Sequence, residues 1–325
     1  MNVFVSGGAG YIGSAVSAEL IAAGHQVTVY DSLVTGHRQA VPAEATFIEG
    51  DLADGAALRA ALGQGHYEAV LHFAGFIEAG ESMQNPAKYF ENNVTNSLKL
   101  IDIAQKAGVQ RFVFSSTAAV YRSSDEPLSE ESALGPENTY GQTKLMVEQA
   151  LEWYHRAHGL RFAALRYFTA SGAYPARGEG HQPESHLIPL VLRVALGQRK
   201  DIAIYGDDYP TPDGTCIRDY IHLADLASAH ILALEALGER DKLVYNLGSG
   251  RGYSVREVIE TARSVTGHPI PALHSPRRPG DAARLVASPE RIQSELGWKT
   301  VHSDLENIMR SAWAWHQRHP HGYES

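Results

Sequence analysis

Through the first half of the chain, brief apolar runs alternate with longer stretches of helical spacing. "NVFVS", "HQVTVYD", "TFIEGD", "EAVLHFAG", "RFVFSS" and "RFAALRYF" are rich in β-branched and aromatic residues and bounded by Gly, Asp or Ser. This is the pattern of strands buried on both faces. Between them, Tyr11 to Ala23, Ala53 to Leu62, Pro86 to Ala107 and Asn138 to Ala157 have helical periodicity. Such βαβα alternation predicts an α/β fold in which a doubly wound parallel sheet carries helices on both faces. Ligands of such sheets gather at the carboxyl ends of the strands.

After Phe168 the texture changes. "TASGAYPARGEGHQPES" is rich in Gly, Pro and small polar residues and is predicted to be a hinge or binding loop. Beyond it, helices are expected at Leu187 to Leu196, Leu223 to Leu237, Ser254 to Val265, Pro289 to Leu296 and Ser303 to Gln317, with short strands such as "LVYNLG". One large sheet domain followed by a smaller cap is the expected plan.

Composition narrows the classes. With 28 Lys+Arg against 37 Asp+Glu in 325 residues and no basic run, no nucleic-acid partner is expected. The single cysteine, Cys216, excludes an internal disulfide framework and fits a reducing compartment. "MNVFVSGG" lacks the features of a signal peptide, and no apolar stretch is long enough to span a bilayer. Cytoplasm is the expected compartment.

The candidate chemistry begins at "VFVSGGAGYIGS", which sets Gly7, Gly10 and Gly13 between the first strand and the first helix. Such glycines allow a tight turn, close approach to a pyrophosphate and close helix–strand packing. Asp31 follows at the end of strand two, where a carboxylate accepts from both ribose hydroxyls and repels a 2′-phosphate. That favours NAD over NADP. Asp51 and Leu52, after strand three, are candidates for the adenine edge, although Asp51 serves equally well near a helix start.

Tyr140 and Lys144 stand at i and i+4 on one predicted helix, so both project toward one site. A fixed ammonium beside the phenol, with a positive nicotinamide ring nearby, favours the phenolate and makes Tyr140 a candidate acid or base. Ser115, Ser116 and Thr117 end strand five, where a hydroxyl can bond the same substrate oxygen. A tyrosine and lysine at this spacing recur by chance as an ordinary exposed pair. Here they follow the glycine loop and the Ser-Ser-Thr strand end in order.

These residues, together with "HFAG", "NNV", "SSTAAVY", "YGQTKLMVEQ", "RYF", "DYPTPDGTCIRDYIHLADLA", "YNLGSG" and "RRPGD", resemble the extended short-chain dehydrogenase/reductase family over nearly the whole length, most specifically its nucleotide-sugar epimerases. The resemblance implies a Rossmann-like NAD-binding domain over 1–168. It implies a smaller α/β domain for a UDP-sugar over 169–325, with part of 216–250 returning to the large domain. It further implies inversion of a UDP-hexose at C4, UDP-galactose to UDP-glucose, through a transient 4-keto sugar. Tyr140, Lys144 and Thr117 would be catalytic.

By the same resemblance, Tyr11, Ile12, Ser32, Phe73, Ala74, Gly75, Asn92, Ser115 and Phe168 join the glycines, Asp31, Asp51 and Leu52 around the cofactor. Thr169, His186, Leu187, Tyr205, Arg218, Tyr220, Arg278, Asp281 and Leu285 would meet the substrate. Arg218 and Arg278 would take the diphosphate, Tyr205 would stack on uracil, and Asp281 would accept from a ribose hydroxyl. A homodimer through the helices at 86–107 and 138–157 is implied as well. Departures from the family pattern are Ile77 where lysine is usual, Thr169 where asparagine is usual and Arg122 where glycine is common.

Other reactions of the family remain as alternatives, namely 4-epimerisation of UDP-N-acetylglucosamine or UDP-glucuronate, and so does a non-catalytic NAD-sensing protein. A 4,6-dehydratase needs an Asp-Glu pair where Ala118 and Ala119 stand, and is set aside. No metal is expected, because no HExxH-type spacing occurs. His72, His186 and His222 are read as core or polar-contact residues. The histidines of "WHQRHPHGYES" are read as a chance cluster on a mobile tail.

Overall fold

The computed structural model describes residues 1–278 and 281–323, so Pro279 and Gly280 of "RRPGD" and the last two residues of the chain lie outside the described residues. Seven parallel strands form the main sheet in the order β10-β6-β5-β4-β1-β2-β3. Six of them are the runs predicted in the first half: β1 (Asn2–Ser6), β2 (Gln26–Asp31), β3 (Thr46–Glu49), β4 (Ala69–His72), β5 (Arg111–Thr117) and β6 (Arg161–Tyr167). The seventh is β10 (Lys242–Leu247), which pairs with β6.

Alternation along each strand feeds two cores. Val3 and Val5 of β1 face the side covered by α1 (Tyr11–Ala22) and α8 (Leu223–Ala236). Phe4 faces the side covered by α2 (Gly55–Gln64), α5 (Asn96–Lys106) and α6 (Thr139–His158). Each large side chain so buried contributes roughly 1.5–3 kcal/mol. A strand buried on both faces has no polar face, which is why these runs read as continuous apolar segments.

The predicted helix Pro86 to Ala107 is broken. It comprises α4 (Pro86–Tyr89), a π turn over Phe90–Thr95 and α5, preceded by the unpredicted α3 (Ala79–Gln84). The π turn places Asn93 so that its side chain accepts from Phe76 N at 2.9 Å and donates to Phe76 O at 2.8 Å. This ties the segment to the loop after β4, a use typical of π turns near sites.

The remaining elements build a second cluster beside the carboxyl edge of the sheet. β7 (Thr169–Ser171), β9 (Ile217–His222), β11 (Gly252–Ser254) and β13 (Arg284–Leu285) form a small sheet, and β8 (Ile202–Tyr205) pairs with β12 (Ala272–Ser275). A separate apolar core is shared by α7 (Leu187–Ala195), α9 (Val255–Thr266) and α11 (Leu305–Arg318). α10 (Glu290–Leu296) packs toward the main sheet through Ile292.

The C-terminal segment is no mobile tail through Tyr323. Trp315 and His316 are buried, His319 stacks on Trp315 at 3.7 Å, and Tyr323 stacks on His37 at 4.7 Å. Aromatic contact area supplies the order that the polar sequence did not suggest.

Candidate active site

A cavity of about 410 Å³ opens along the carboxyl ends of β1, β2, β4, β5 and β6. At one end lies the glycine turn. Gly7 has φ +76°, and a Cβ there would sit 2.4 Å from Ala74 N; a Cβ on Gly13 would sit 2.2 Å from Gly7 O. Both positions therefore exclude side chains, whereas Gly10 caps α1 and faces the cavity. Orphan N–H groups of the first turn of α1 make this a cradle for a pyrophosphate.

Asp31 closes that end. Ala9 N donates to its Oδ2 at 2.9 Å and Leu33 N to its Oδ1 at 2.8 Å. Burial pushes the carboxyl up, and these two backbone bonds pull it back. A carboxylate has about four acceptor positions. Two remain for ribose hydroxyls, so the residues present fit NAD.

At the other end stand Tyr140, Lys144, Ser115 and Thr117. Asn138 caps α6 by accepting from Gly141 N at 2.8 Å, and a Cβ at Gly141 would lie 2.2 Å from Ala119 O. Glycine after the tyrosine thus lets the helix start press on the backbone following β5. Lys144 Nζ donates to Ser115 O at 2.7 Å and Ser115 Oγ at 3.3 Å, and lies 6.0 Å from the Tyr140 ring centre. Ser116 points the other way, donating to Glu148, which also holds Arg166 at 2.7 Å in a buried pair. Strand alternation separates Ser116 from its neighbours.

Burial pushes Tyr140 up to about 12, only partly offset by a hydrogen bond with Thr117. Burial also brings Lys144 down to about 7, opposed by Glu148. Desolvation is the larger effect on both groups, and Glu78 adds to it on the phenol.

Residues 3–248 match the NAD dependent epimerase/dehydratase family. The chain belongs to this family. A UDP-glucose 4-epimerase of Corynebacterium glutamicum is 50% identical over 315 residues, spanning 97% of this chain and 95% of the relative. A crystal structure of a UDP-glucose 4-epimerase superposes with TM-score 0.97 at 48% identity, each chain covered fully (100% and 100%). A Bifidobacterium longum UDP-glucose 4-epimerase in complex with NAD⁺ and UDP superposes with TM-score 0.95 at 37% identity, covering 99% of this chain and 100% of that one.

In this epimerase/dehydratase chain, the cavity is also lined by Tyr11, Ile12, Ser32, Asp51, Leu52, Phe73, Ala74, Gly75, Asn92 and Phe168, and by Thr169, His186 and Leu285. Leu187 and Tyr220 line a small adjoining pocket. Tyr205, Arg218, Arg278 and Asp281 are not among the lining residues of either. Arg218 donates to Asp281 at 2.5 Å, and the Arg278 guanidinium lies 4.0 Å from the Tyr205 ring centre. Register links the two groups, since Leu285 on β13 pairs with Arg218 on β9.

The histidines divide. His72 is held between Ser6 Oγ and Ser97 Oγ, both at 2.7 Å, and burial lowers it to about 3. His222 caps α8, its Nδ1 accepting from Ala224 N at 3.0 Å. His186 lies 2.7 Å from Glu184 and is raised to about 9 by carboxylates that outweigh its burial. Glu179 and His181 also line the cavity. Sequence reading passed over them, and the repeated Glu-x-His spacing was the available signal.

Lys144 generates a pH-dependent expectation. Its ordinary value is 10.5, against about 7 in the folded protein. Below pH 7 folding carries the full cost of a buried ammonium. Between pH 7 and 10.5 the unfolded chain holds a proton that the folded chain has shed, so stability rises with pH. Lys144→Met removes the term. In urea unfolding, the stability gain of the variant over wild type should be largest at or below pH 7 and shrink toward pH 10.5; a pH-independent difference would contradict the burial.

Proposed function

We propose that this protein interconverts UDP-galactose and UDP-glucose by NAD-dependent inversion at C4. The carrying observation is one continuous cavity with Gly10 and Asp31 at one end and Thr117, Tyr140 and Lys144 at the other. Gly10 and Asp31 would hold NAD, which would supply a reversible two-electron hydride acceptor for C4 of the sugar.

The side chains manage the proton. Tyr140 takes it from the 4-hydroxyl and later gives it back, with Thr117 bonded to the same oxygen. Lys144, fixed by Ser115, holds the positive potential that the phenolate needs. Burial holds the Tyr140 phenol up at about 12, so positive charge beside it would favour its ionisation. Arg218, Arg278, Tyr205 and Asp281 are proposed to exchange their mutual contacts for the diphosphate, uracil and ribose. Planar guanidinium forks suit phosphate oxygens in two-point contacts.

Tyr140→Phe should lower turnover of UDP-galactose by about 10² to 10⁴ while calorimetry records undiminished UDP binding. Near-normal turnover would move the acid/base role to another group, Thr117 first.

Selectivity is assigned to Leu285, which reaches the cavity wall from β13. UDP-N-acetylglucosamine should be turned over more weakly than the plain sugars. Enlarging the wall with Leu285→Tyr should depress the kcat/KM ratio of acetylated to plain substrate, and Leu285→Ser should raise it, each by roughly 1–3 kcal/mol in discrimination. A ratio unmoved by tyrosine would place the gate elsewhere.

A homodimer in the cytoplasm serving galactose metabolism completes the proposal. Trp153 on α6 and Phe90 in the π turn are exposed at 66% and 37%, which supplies apolar surface for a second copy. No helix among the described residues is long and apolar enough to cross a membrane. Sedimentation should give twice the chain mass, and a concentration-independent monomer would refute the pairing.

A further inference from the structure

We propose that Glu179, His181, Glu184 and His186 form a binding site for a divalent cation of the Zn²⁺ class in the wall of the cavity. The four residues each offer one donor atom, and these atoms all lie within 4.8 Å of one another. A tetrahedral ion with metal–donor distances of about 2.0–2.2 Å holds its donors roughly 3.3–3.6 Å apart. Small side-chain rotations close that difference. Two imidazoles with two carboxylates suit zinc-like ions, whereas magnesium and calcium prefer all-oxygen sets.

The chain builds the cluster from one segment. Glu-x-His occurs twice within eight residues, as Glu179-Gly180-His181 and Glu184-Ser185-His186. Backbone donors orient both carboxylates: Gly180 N and His181 N reach Glu179 Oε1 at 3.0 and 3.2 Å, and Ser185 N and His186 N reach Glu184 Oε1 at 2.8 and 2.7 Å. No hydrogen bond of the described structure engages Oε2 of either. Glu184 has a side chain only 1% exposed and Glu179 one 8% exposed. Carboxylates this deeply buried need positive charge beside them, which the adjoining imidazoles supply when protonated and a bound cation supplies when they are neutral.

A second observation points to the same place. His316, 6% exposed, presents Nε2 with no hydrogen-bond partner, and it lines the small pocket shared by Glu179 and His186. His181 Nδ1 lies 2.6 Å from Glu179 Oε1 without hydrogen-bond alignment. Buried imidazole nitrogens are ordinarily satisfied. A cation bridging the two Glu-x-His units engages His181 directly, and the unpartnered His316 Nε2 borders the same pocket. The simpler alternative is a pair of imidazole–carboxylate contacts that merely pin the segment, and the experiment separates the two.

The test uses the full-length protein after chelation and dialysis, titrated with Co²⁺ as a spectroscopic stand-in and then with Zn²⁺. The expected result is intense tetrahedral Co²⁺ absorption that saturates at one equivalent and is displaced by Zn²⁺. His181→Gln and Glu184→Gln should abolish it or weaken Zn²⁺ binding at least about tenfold, with near-ultraviolet circular dichroism reporting that each variant is folded. In wild type alone, Zn²⁺ at 100 times its Kd should raise Tm by about 5 °C, which keeps the proposal testable should a variant fail to fold. His321→Ala, at an exposed position, should retain both signals. No one-equivalent spectrum, no Tm shift, or a signal lost with His321→Ala and kept with His181→Gln would overturn the site. Neither NAD nor a sugar nucleotide is needed, so failure here leaves the proposed reaction standing.

Discussion

Three backbone segments meet at Gly7, and the remainder of the site depends on that contact. The end of β1, the start of α1 and the chain leaving β4 approach so closely that a Cβ on Gly7 or Gly13 would overlap backbone atoms of Ala74 or Gly7. Because β4, β5 and β6 continue in register from β1, that approach also sets where Ser115 and Thr117 emerge. Glycine loop and tyrosine helix are therefore held by one rigid sheet edge. Rigid elements position chemistry more accurately than loops do.

Burial then sets the electrostatics. Tyr140 and Lys144 are both displaced from their ordinary values toward neutrality of charge, the phenol to about 12 and the ammonium to about 7. Low dielectric strengthens each interaction within the site. The buried Arg166–Glu148 pair beneath α6 adds rigidity. Loss of one partner from such a pair typically costs about 3–5 kcal/mol.

Much of this was legible in the sequence. The inner sheet strands could be read because burial on both faces makes them short, mostly apolar, β-branched runs; β3 at the sheet edge is exposed at both ends and was marked instead by Phe47, Ile48 and the bounding Gly and Asp. The glycine turn and the Tyr-Lys spacing could be read because backbone geometry and helical period constrain them. β7 and β13 were hidden, being three and two residues long with mixed polarity. The π turn was hidden because the side-chain bonds of Asn93, not periodicity, decide it. The order of the C-terminal end came from stacking between residues distant in sequence, His37 with Tyr323. Spacing shows that Tyr140 and Lys144 share one site but not how deeply both are buried, which raises the phenol and lowers the ammonium.

The central claim is that the cavity from Asp31 to Tyr140 holds NAD as a resident partner for chemistry at one sugar carbon. Its most direct test is to denature the purified protein and identify the nucleotide released by chromatography. The account predicts NAD, with NADP excluded by the Asp31 carboxylate. A protein that releases no nucleotide and afterwards binds only NADP would contradict it.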